Sequence, residues 1–352
     1  MAEKFAYGVD LGWVSQLEQM GYRWIDESGN RTDPILACKN MGANAVRLRL
    51  FVNQKEDFWQ KNENERCMLG FCDMYRVLEM AGRVKSLGMD LMLDFHYSDH
   101  FADPEIQDIP EAWKDDDDQK LTERVYDHTR EVLLLFRENK IEPKWVQVGN
   151  EINFGMMWPK GHLDAAPKQL VCFLNAGYDA VKEVFPACQV ITHMAMVNRE
   201  AWCVPFLDNF FTNGGKTDII GFSYYPYWVL KQIEAEDLGD EETVRVREAS
   251  GSKAALSGWL SAYERKYGKP VMIVEIGGDD EDEEGTCQLL RRSSEAVREL
   301  PEGRGLGIFY WEPEVSRSVL PDAYPLGAAR QVDVYTLQYT KVLTAYNACC
   351  SQ

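Results

Sequence analysis

The chain has 352 residues and a formal net charge of −19 at pH 7. This excess of acidic side chains repels phosphate backbones and anionic membranes, so we expect neither a nucleic-acid nor a membrane partner. The first residues show no apolar signal-peptide core, and no apolar run approaches the length of a membrane span. Nine cysteines without regular spacing predict free thiols rather than a disulfide framework, which favours a cytoplasmic location.

Eight short apolar segments have the composition of buried β-strands. In chain order they are Phe5–Leu11, Ala45–Leu50, Asp90–Phe95, Trp145–Gly149, Gln189–Thr192, Asp218–Ser223, Pro270–Val274 and Gly305–Tyr310. Helical patterns with cap residues alternate with them. The predicted helices run from Thr32-Asp33-Pro34 to about Met41, then over Cys72–Leu87, Gln119–Asn139, Pro167–Phe185, Val204–Asn213, Ala249–Tyr267, Thr286–Leu300 and Asp333–Ala345.

Strand–helix alternation of this kind implies parallel strands joined by right-handed crossovers. Eight repeats predict an α/β fold of the (β/α)8 TIM-barrel type, forming a single domain over residues 1–352. A doubly wound open sheet is the alternative. That fold usually carries a glycine-rich phosphate turn, and the chain has no GxGxxG motif.

The second predicted strand carries Arg47 and Arg49, which are two residues apart and therefore share one face. Two guanidinium groups on one face of an apolar strand are costly unless they pair with carboxylates. The interior of a barrel near an acidic active site offers such partners. An edge strand with a solvated face is the alternative interpretation.

Polar and aromatic residues follow the third strand, in the order His96-Tyr97-Ser98-Asp99. The long segment His100–Lys114 comes next, and loops of this length in compact domains are usually functional or disordered. Because barrel enzymes place their sites where the strands end, His96 and Asp99 are candidate site residues.

The fourth strand is followed directly by Asn150 and Glu151. A carboxyl group at the end of a buried parallel strand is surrounded by little water, which favours its neutral form, as a general acid requires. Asn150 is placed to hold a substrate hydroxyl beside it, and Trp158 lies in the loop that follows. A glutamate on a solvated loop is the alternative interpretation of Glu151.

Aromatic residues cluster after the sixth strand, in the order Tyr224-Tyr225-Pro226-Tyr227-Trp228. Four aromatic side chains in five residues indicate a wall on which sugar rings stack, or else a buried anchor for the loop. Trp311 follows the eighth strand and is expected to form the floor beneath the sugar next to the scissile bond.

Glu275 ends the seventh strand, which lies opposite the fourth strand in a closed eight-stranded barrel. The side chains of Glu151 and Glu275 are therefore expected to face each other. Retaining glycosidases need two carboxyl groups about 5–5.5 Å apart, one as nucleophile and one as acid/base. The arginines of the second strand are expected to keep Glu275 ionised, and Tyr224 is expected to donate a hydrogen bond to it.

The chain resembles the family 53 glycoside hydrolases, the endo-β-1,4-galactanase family, over roughly residues 5–315. The matching segments are ANAVRLRL, LMLDFHYSDHFADP, WVQVGNEIN, MMWPKG, TDIIGFSYYPYW, PVMIVE and GIFYWEP. The resemblance implies retaining hydrolysis of β-1,4-galactan in the side chains of pectin, with Glu151 as acid/base and Glu275 as nucleophile. It further implies that the surrounding site contains His96, Asn150, Tyr224, Trp311 and one of the two arginines, Arg47 or Arg49.

Three segments depart from the family pattern. Phe51-Val52-Asn53-Gln54 stands where Trp-Asn-Asp-Pro is common, Phe101 stands where tryptophan is common, and Ile276-Gly277-Gly278-Asp279 replaces a segment of the Thr-Ala-Tyr type. Because such positions shape subsites, another β-linked glycan or oligosaccharide cleaved by the same mechanism is an alternative substrate. A barrel that binds carbohydrate without cutting it is the alternative function.

The predicted chemistry requires no cofactor and no metal. The acidic segment Asp279–Glu284 follows the seventh strand, where some members of the family hold calcium. Its ligand pattern is not recognisable, so a solvated acidic loop is favoured over a calcium site. The expected partner is a neutral polysaccharide or oligosaccharide, and the sequence does not indicate an oligomeric state.

Overall fold

The computed structural model describes residues 4–54, 71–235, 247–301, 303–319 and 326–350. Its barrel strands, named β1 to β8 in chain order, are Ala6–Asp10, Ala45–Leu50, Asp90–Phe95, Trp145–Val148, Gln189–Met194, Ile219–Tyr224, Val271–Ile276 and Gly305–Tyr310. Each coincides with a predicted strand to within a residue or two at either end. Apolar runs flanked by turn residues therefore located every barrel strand.

The eight strands form a closed barrel in the order β1-β8-β7-β6-β5-β4-β3-β2. The pairings are parallel, with Met92 of β3 opposite Trp145 of β4, which in turn lies opposite Gln189 of β5. Strand β8 pairs in parallel with both β1 and β7. Closure confirms the predicted (β/α)8 TIM barrel and excludes the doubly wound open sheet.

Helices alternate with the barrel strands. They are Val14–Gln19, Pro34–Asn40, Met74–Ser86, Asp118–Glu138, Pro167–Val184, Glu200–Thr212, Pro226–Ala235, Lys253–Tyr267, Glu283–Arg298 and Thr344–Cys350, with a single 3-10 turn at Glu111–Trp113 among the described residues. Cap chemistry fixes several ends. The Asp33 carboxylate accepts hydrogen bonds from the N–H groups of Ile35 and Leu36, and Gly268 ends its helix in the left-handed conformation.

Two compact units are distinguished within the chain. Unit 1 comprises Met1–Ala45, Met196–Asn198 and Phe222–Gln352, and unit 2 comprises Val46–Ala195 and Arg199–Gly221. In unit 2 the helices Asp118–Glu138 and Pro167–Val184 pack together. In unit 1 the helix Glu283–Arg298 packs against Lys253–Tyr267. The single-domain assignment stays a prediction.

The predicted closing helix Asp333–Ala345 is wrong. Ala329–Asp333 and Thr336–Tyr339 form an antiparallel hairpin, whose second strand also pairs with Arg23–Ile25. The final helix starts only at Thr344. Val332, Val334 and Thr336 alternate in this segment, and β-branched side chains favour extended over helical backbone.

Among the described residues, no helix combines the length and the apolar character needed to span a bilayer. The cysteines whose side chains are described are free: Cys38, Cys72, Cys172, Cys188, Cys203 and Cys287. Cys67 lies outside the described residues. The predicted cytoplasmic location stays a prediction.

Candidate active site

Arg47 and Arg49 are both buried in β2, each with only 1% of its surface exposed. Arg47 Nη2 donates to Asp94 Oδ2 at 2.7 Å and to Asn150 Oδ1 at 2.8 Å. The Arg49 guanidinium lies 4.6 Å from the ring centroid of Phe101, a cation–π contact. The interpretation of β2 as a solvated edge strand is therefore wrong, since buried guanidinium groups require partners of this kind.

Asp94 joins the polar side chains of three neighbouring strands in unit 2. Its Oδ2 also accepts from His96 Nε2 at 2.9 Å, and its Oδ1 accepts from Gln147 Nε2 at 2.5 Å. Gln147 Oε1 accepts in turn from Arg47 at 3.3 Å. We call this buried set the Asp94 network; its members are Arg47, Asp94, His96, Gln147 and Asn150.

The contacts of His96 fix its tautomer. Its Nδ1 accepts the backbone N–H of Ala102 at 2.9 Å, and because a backbone N–H can only donate, Nδ1 carries no proton. Nε2 therefore carries the proton and donates it to Asp94. Burial lowers the pKa of His96, although the neighbouring Asp94 charge opposes that shift. The ring is thus a neutral member of the Asp94 network.

Asn150 is held by both ends of its amide. Nδ2 donates to the Ala102 carbonyl at 2.8 Å, while Oδ1 accepts from Arg47 and from Gln147 Nε2. His193 Nδ1 lies 2.9 Å from the same Oδ1. His193 lies inside β5, and burial followed by the charge of Arg47 lowers its pKa well below the ordinary value. The amide plane of Asn150 therefore has a defined orientation.

Glu151 follows in a left-handed backbone conformation, with φ +50°, and is half-buried. Gly149 has φ +82°, and a Cβ there would lie 2.8 Å from Ile152 Cγ2. On the other side of Glu151, the Ile152 N–H donates to the His193 carbonyl at 3.0 Å. Strained residues of this kind persist only where the surrounding structure holds them, and they cluster at functional sites.

Asp99 and Trp158 lie in the loops that follow β3 and β4. Asp99 Oδ2 accepts the N–H of Glu111 at 2.9 Å, which fixes the end of its own loop. The Trp158 indole Nε1 donates to the Phe154 carbonyl at 3.1 Å, and its ring centroid lies 5.2 Å from that of His162. Both side chains thus have a local structural partner, and their predicted contacts with substrate stay predictions.

Glu275 lies within β7 in unit 1 and is 5% exposed. Its Oε2 accepts from the Tyr225 hydroxyl at 2.8 Å and from the Ser223 hydroxyl at 3.4 Å. Two hydroxyl donors on one carboxylate oxygen favour its ionised form. The expected contact between Glu275 and an arginine of β2 stays a prediction.

The predicted hydrogen bond from Tyr224 to Glu275 is wrong. Tyr224 is buried, its hydroxyl accepts the N–H of Gly251 at 2.9 Å, and burial raises its pKa to about 12. Side chains alternate along extended backbone, so Ser223 and Tyr225 share the face towards Glu275 and Tyr224 points away. Within the aromatic cluster after β6, Tyr224 is therefore a buried anchor for the loop. Trp228 in the same cluster is 39% exposed.

Trp311 and two further carboxyl groups follow β8 in unit 1. The Trp311 N–H donates to the Ile276 carbonyl at 2.9 Å, and its ring lies edge-on to Tyr225 with centroids 6.2 Å apart. Glu312 and Glu314 are buried, and Glu314 Oε1 accepts the N–H of Trp13 at 2.9 Å. Burial and the charge of Glu312 raise the pKa of Glu314 well above its usual range. Sequence reasoning missed Glu314 because a glutamate after a strand resembles a solvated loop residue.

The acidic loop after β7 has cationic partners. Arg317 donates to Asp279 at 3.3 Å, to Asp280 at 2.9 Å and to Glu281 at 3.3 Å. Asp282 caps the following helix by accepting from Gly285. Within the part of the chain that the structure describes, no three His, Cys, Asp or Glu side chains are arranged to hold a metal ion. These contacts favour an ion-paired loop, and the expectation that this loop holds no calcium stays a prediction.

Comparison with known proteins places the chain in a family. The chain matches Glycosyl hydrolase family 53 over residues 6–345. It is 31% identical over 341 residues to a Niallia circulans protein described as an uncharacterized protein in the bgaB 5′ region, covering 88% of this chain and 84% of that one. It is 29% identical over 337 residues to the arabinogalactan endo-β-1,4-galactanase of Cellvibrio japonicus, covering 88% and 80%.

Solved structures agree with this assignment. A family 53 catalytic domain from Ignisphaera aggregans superposes with a TM-score of 0.78 at 26% identity, covering 97% of this chain and 95% of that one. A fungal β-1,4-galactanase structure has the same fold, with a TM-score of 0.80 at 22% identity and coverage of 99% and 100%. The chain therefore belongs to glycoside hydrolase family 53 and is a glycosidase built on a TIM barrel.

Proposed function

We propose that this enzyme is an endo-β-1,4-galactanase that cleaves galactan or arabinogalactan in pectin side chains with retention of anomeric configuration. The names of its family relatives support the substrate. The observation that carries the chemistry is the buried carboxylate of Glu275, which accepts from the Tyr225 hydroxyl at 2.8 Å. That arrangement favours the ionised state that a nucleophile needs.

In the first step of the proposed reaction, Glu275 attacks the anomeric carbon of the sugar. A bond forms between a carboxylate oxygen and that carbon, and the glycosidic C–O bond breaks. Glu151 donates its proton to the departing oxygen, so the leaving chain is released as an alcohol. The glutamate pair then consists of a glycosyl ester on Glu275 and an ionised Glu151.

In the second step, the ionised Glu151 removes a proton from water, and the resulting oxygen attacks the same anomeric carbon. The ester bond to Glu275 breaks and both glutamates return to their starting states. Two inversions at one carbon give net retention. This assignment requires the two carboxyl groups to be about 5–5.5 Å apart in the substrate complex.

Substrate contacts are proposed for the residues around the two glutamates. Exposed or half-buried aromatic rings can stack on sugar faces, and these are Trp158, Trp228 and Trp311. One amide hydrogen of Asn150 makes no bond within the described residues, and we assign it to a sugar hydroxyl. The remaining proposed site residues are polar or charged: Arg47, Arg49, His96 and Asp99.

A different β-linked glycan is the second candidate substrate, because the two phenylalanines that depart from the family pattern pack together beside the Asp94 network. The ring centroids of Phe51 and Phe101 are 5.4 Å apart, and Phe51 lies 5.1 Å from His96. Phe101 also covers the Arg49 guanidinium. A smaller aromatic ring at each position changes the shape available to a sugar while leaving Glu151 and Glu275 in place.

Release of reducing ends from a panel of plant polysaccharides tests the substrate. We expect β-1,4-galactan to be cleaved fastest, and NMR to show the β-anomer as the first product. Cleavage of another β-linked glycan at a higher rate would select the second candidate. If no glycan is cleaved but galactan still binds, the protein is a carbohydrate-binding barrel and the proposal is wrong.

A further inference from the structure

Gln107 lies in the loop after β3 and is buried, with 1% of its surface exposed. Its side-chain Nε2 donates to the backbone carbonyl of Asn150 at 2.9 Å and to that of Asp103 at 3.2 Å. Its own backbone carbonyl accepts the N–H of Trp158 at 2.7 Å. Gln107 thus contacts the segment before Glu151 through its side chain, and the loop that carries Trp158 through its backbone.

The carbonyl of Asn150 belongs to the peptide unit that ends at the nitrogen of Glu151. Because a peptide unit is planar and rigid, a hydrogen bond to its oxygen also fixes the direction of that nitrogen. The next rotation along the chain is the φ angle of Glu151, which is +50°. Few residues other than glycine adopt this value, so the conformation needs support from its surroundings.

The two flanks of Glu151 are supported in different ways. After Glu151, backbone and side-chain groups pair with the end of β5: Ile152 N–H donates to the His193 carbonyl at 3.0 Å, and Asn153 Oδ1 accepts from the Ala195 N–H at 2.7 Å. Before Glu151, the side chain of Gln107 donates to the carbonyl of the Asn150–Glu151 peptide at 2.9 Å, and the N–H of the same peptide makes a longer contact of 3.4 Å with His193 Nδ1. Substitution of one side chain therefore loosens the preceding flank and leaves the following flank intact.

We propose that Gln107 is a positioning residue for Glu151, acting through the Asn150–Glu151 peptide to hold the carboxyl group where it protonates the leaving oxygen. This inference rests on the proposed role of Glu151 as acid/base. The contact from the Gln107 backbone to Trp158 does not depend on the side chain. Substitutions at Gln107 therefore affect proton transfer more than sugar binding.

Two variants test this role. Gln107→Leu removes the donor, and Gln107→Met does the same with an unbranched side chain if the leucine variant does not fold. The assay compares kcat/KM for β-1,4-galactan, whose leaving group needs a proton, with kcat/KM for 2,4-dinitrophenyl β-galactobioside, whose leaving group does not. We expect a loss of about 10- to 100-fold on galactan and less than about 3-fold on the aryl substrate.

A second readout follows from the hydrolysis of the glycosyl ester. Azide attacks the ester without a general base, so it should raise kcat of the Gln107 variants on the aryl substrate and leave the unsubstituted enzyme unchanged. Gln169→Leu is the matched control. The Gln169 amide also donates to a backbone carbonyl, that of Asp118 at 3.1 Å, but at the start of a surface helix. It should behave as the unsubstituted enzyme does on both substrates.

An equal loss on the two substrates, or no loss on galactan, would overturn the positioning role of Gln107. Glu151→Ala, measured in the same assay, separates this inference from the proposed function. If Glu151→Ala shows no difference between the substrates, the acid/base assignment itself is wrong. If it shows the difference and the Gln107 variants do not, only the role of Gln107 is wrong.

Discussion

The two proposed catalytic glutamates are held by different kinds of contact in the two units. In unit 1, the hydroxyl groups of Tyr225 and Ser223 donate directly to a carboxylate oxygen of Glu275. In unit 2, Gln107 and the His193 carbonyl hold the backbone on either side of Glu151. Direct donors stabilise one protonation state, which suits a nucleophile, whereas support through the backbone positions a group that must both lose and gain a proton.

The buried titratable groups of the two units also differ. Unit 2 contains histidines that burial keeps neutral, namely His96, His128 and His193. Unit 1 contains a carboxyl group, Glu314, whose pKa is raised by burial and by the charge of Glu312. Falling pH is therefore expected to destabilise unit 2, whose buried histidines would have to bind protons. Rising pH is expected to destabilise unit 1, where Glu314 would have to lose its proton.

Substitution of the glutamates should have the largest effect. Glu275→Gln removes the nucleophile and should lower galactan turnover by on the order of 10⁴-fold or more. Glu151→Gln removes the acid/base and should cost on the order of 10²- to 10⁴-fold. Reducing-end assays with folding checked by circular dichroism measure both. Full activity in either variant would show that its assigned role is wrong.

The next largest effect is expected on the acid stability of unit 2. His128 packs edge-on against Phe95 and Trp113, and burial lowers its pKa from 6.5 to about 4. Between these values the unfolded chain binds a proton that the folded chain does not. The stability present above pH 6.5 is therefore lost as the pH falls towards about 4.

The pKa shift of His128 corresponds to a loss of about 3 kcal/mol in the free energy of unfolding once the pH has fallen to the folded pKa. His128→Phe retains the aromatic packing and cannot bind the proton, so it should remove this share of the acid sensitivity. Urea unfolding of both proteins across that pH range gives the difference in free energy of unfolding. A difference that does not change with pH would contradict the assigned cause.

Tyr225→Phe should have a smaller effect, confined to Glu275. Loss of a hydrogen bond to a charged group costs about 1.5–3 kcal/mol, which corresponds to a fall in kcat/KM of about 10- to 100-fold. The acidic limb of the pH–rate profile should move to higher pH, since the ionised form loses a donor.

Tyr224→Phe is the matched control for that variant, because the Tyr224 hydroxyl accepts from Gly251 and not from the glutamate. It should leave the acidic limb in place and lower the free energy of unfolding by about 1 kcal/mol. A shift of the limb in the Tyr224 variant rather than the Tyr225 variant would reverse the assignment.

The smallest effect is expected at Glu314. Because its folded pKa is raised, the folded chain holds a proton that the unfolded chain releases, and stability falls as the pH rises through that range. Glu314→Gln keeps an acceptor for the Trp13 N–H and stays neutral, so it should lose less stability between acidic and neutral pH. Glu138→Gln, at an exposed position in the helix Asp118–Glu138, is the control and should follow the parent protein.

The barrel strands were predictable because they are apolar, short and punctuated by turn residues. The segment Ala45–Leu50 was predicted at its observed bounds, as was Gly305–Tyr310. The terminal hairpin was missed because a spaced apolar pattern was assigned to a helix, although its β-branched residues favour strands. Its partner, Arg23–Ile25, lies at the other end of the chain, so no local signal revealed the pairing.

The candidate site was predictable where charge or motif marked it and not where geometry decided it. Glu151, Glu275 and the arginines of β2 were proposed from their position and type, and their catalytic and binding roles stay predictions. The donor to Glu275 was misassigned by one residue, because a shift of one along extended backbone moves a side chain to the opposite face. Gln107 and Gln147 were missed because uncharged amides carry no sequence signal, and their partners are far away in the chain.

Mass spectrometry of a trapped glycosyl-enzyme tests the central claim most directly. A 2-deoxy-2-fluoro-β-galactobioside with a dinitrophenyl leaving group should inactivate the enzyme and add one fluorinated galactobiosyl group, which is two sugar units, to the peptide that contains Glu275. The Glu151→Ala variant should be labelled at the same residue. Labelling of any other side chain, or turnover of galactan without a covalent intermediate and with inversion, would contradict the account.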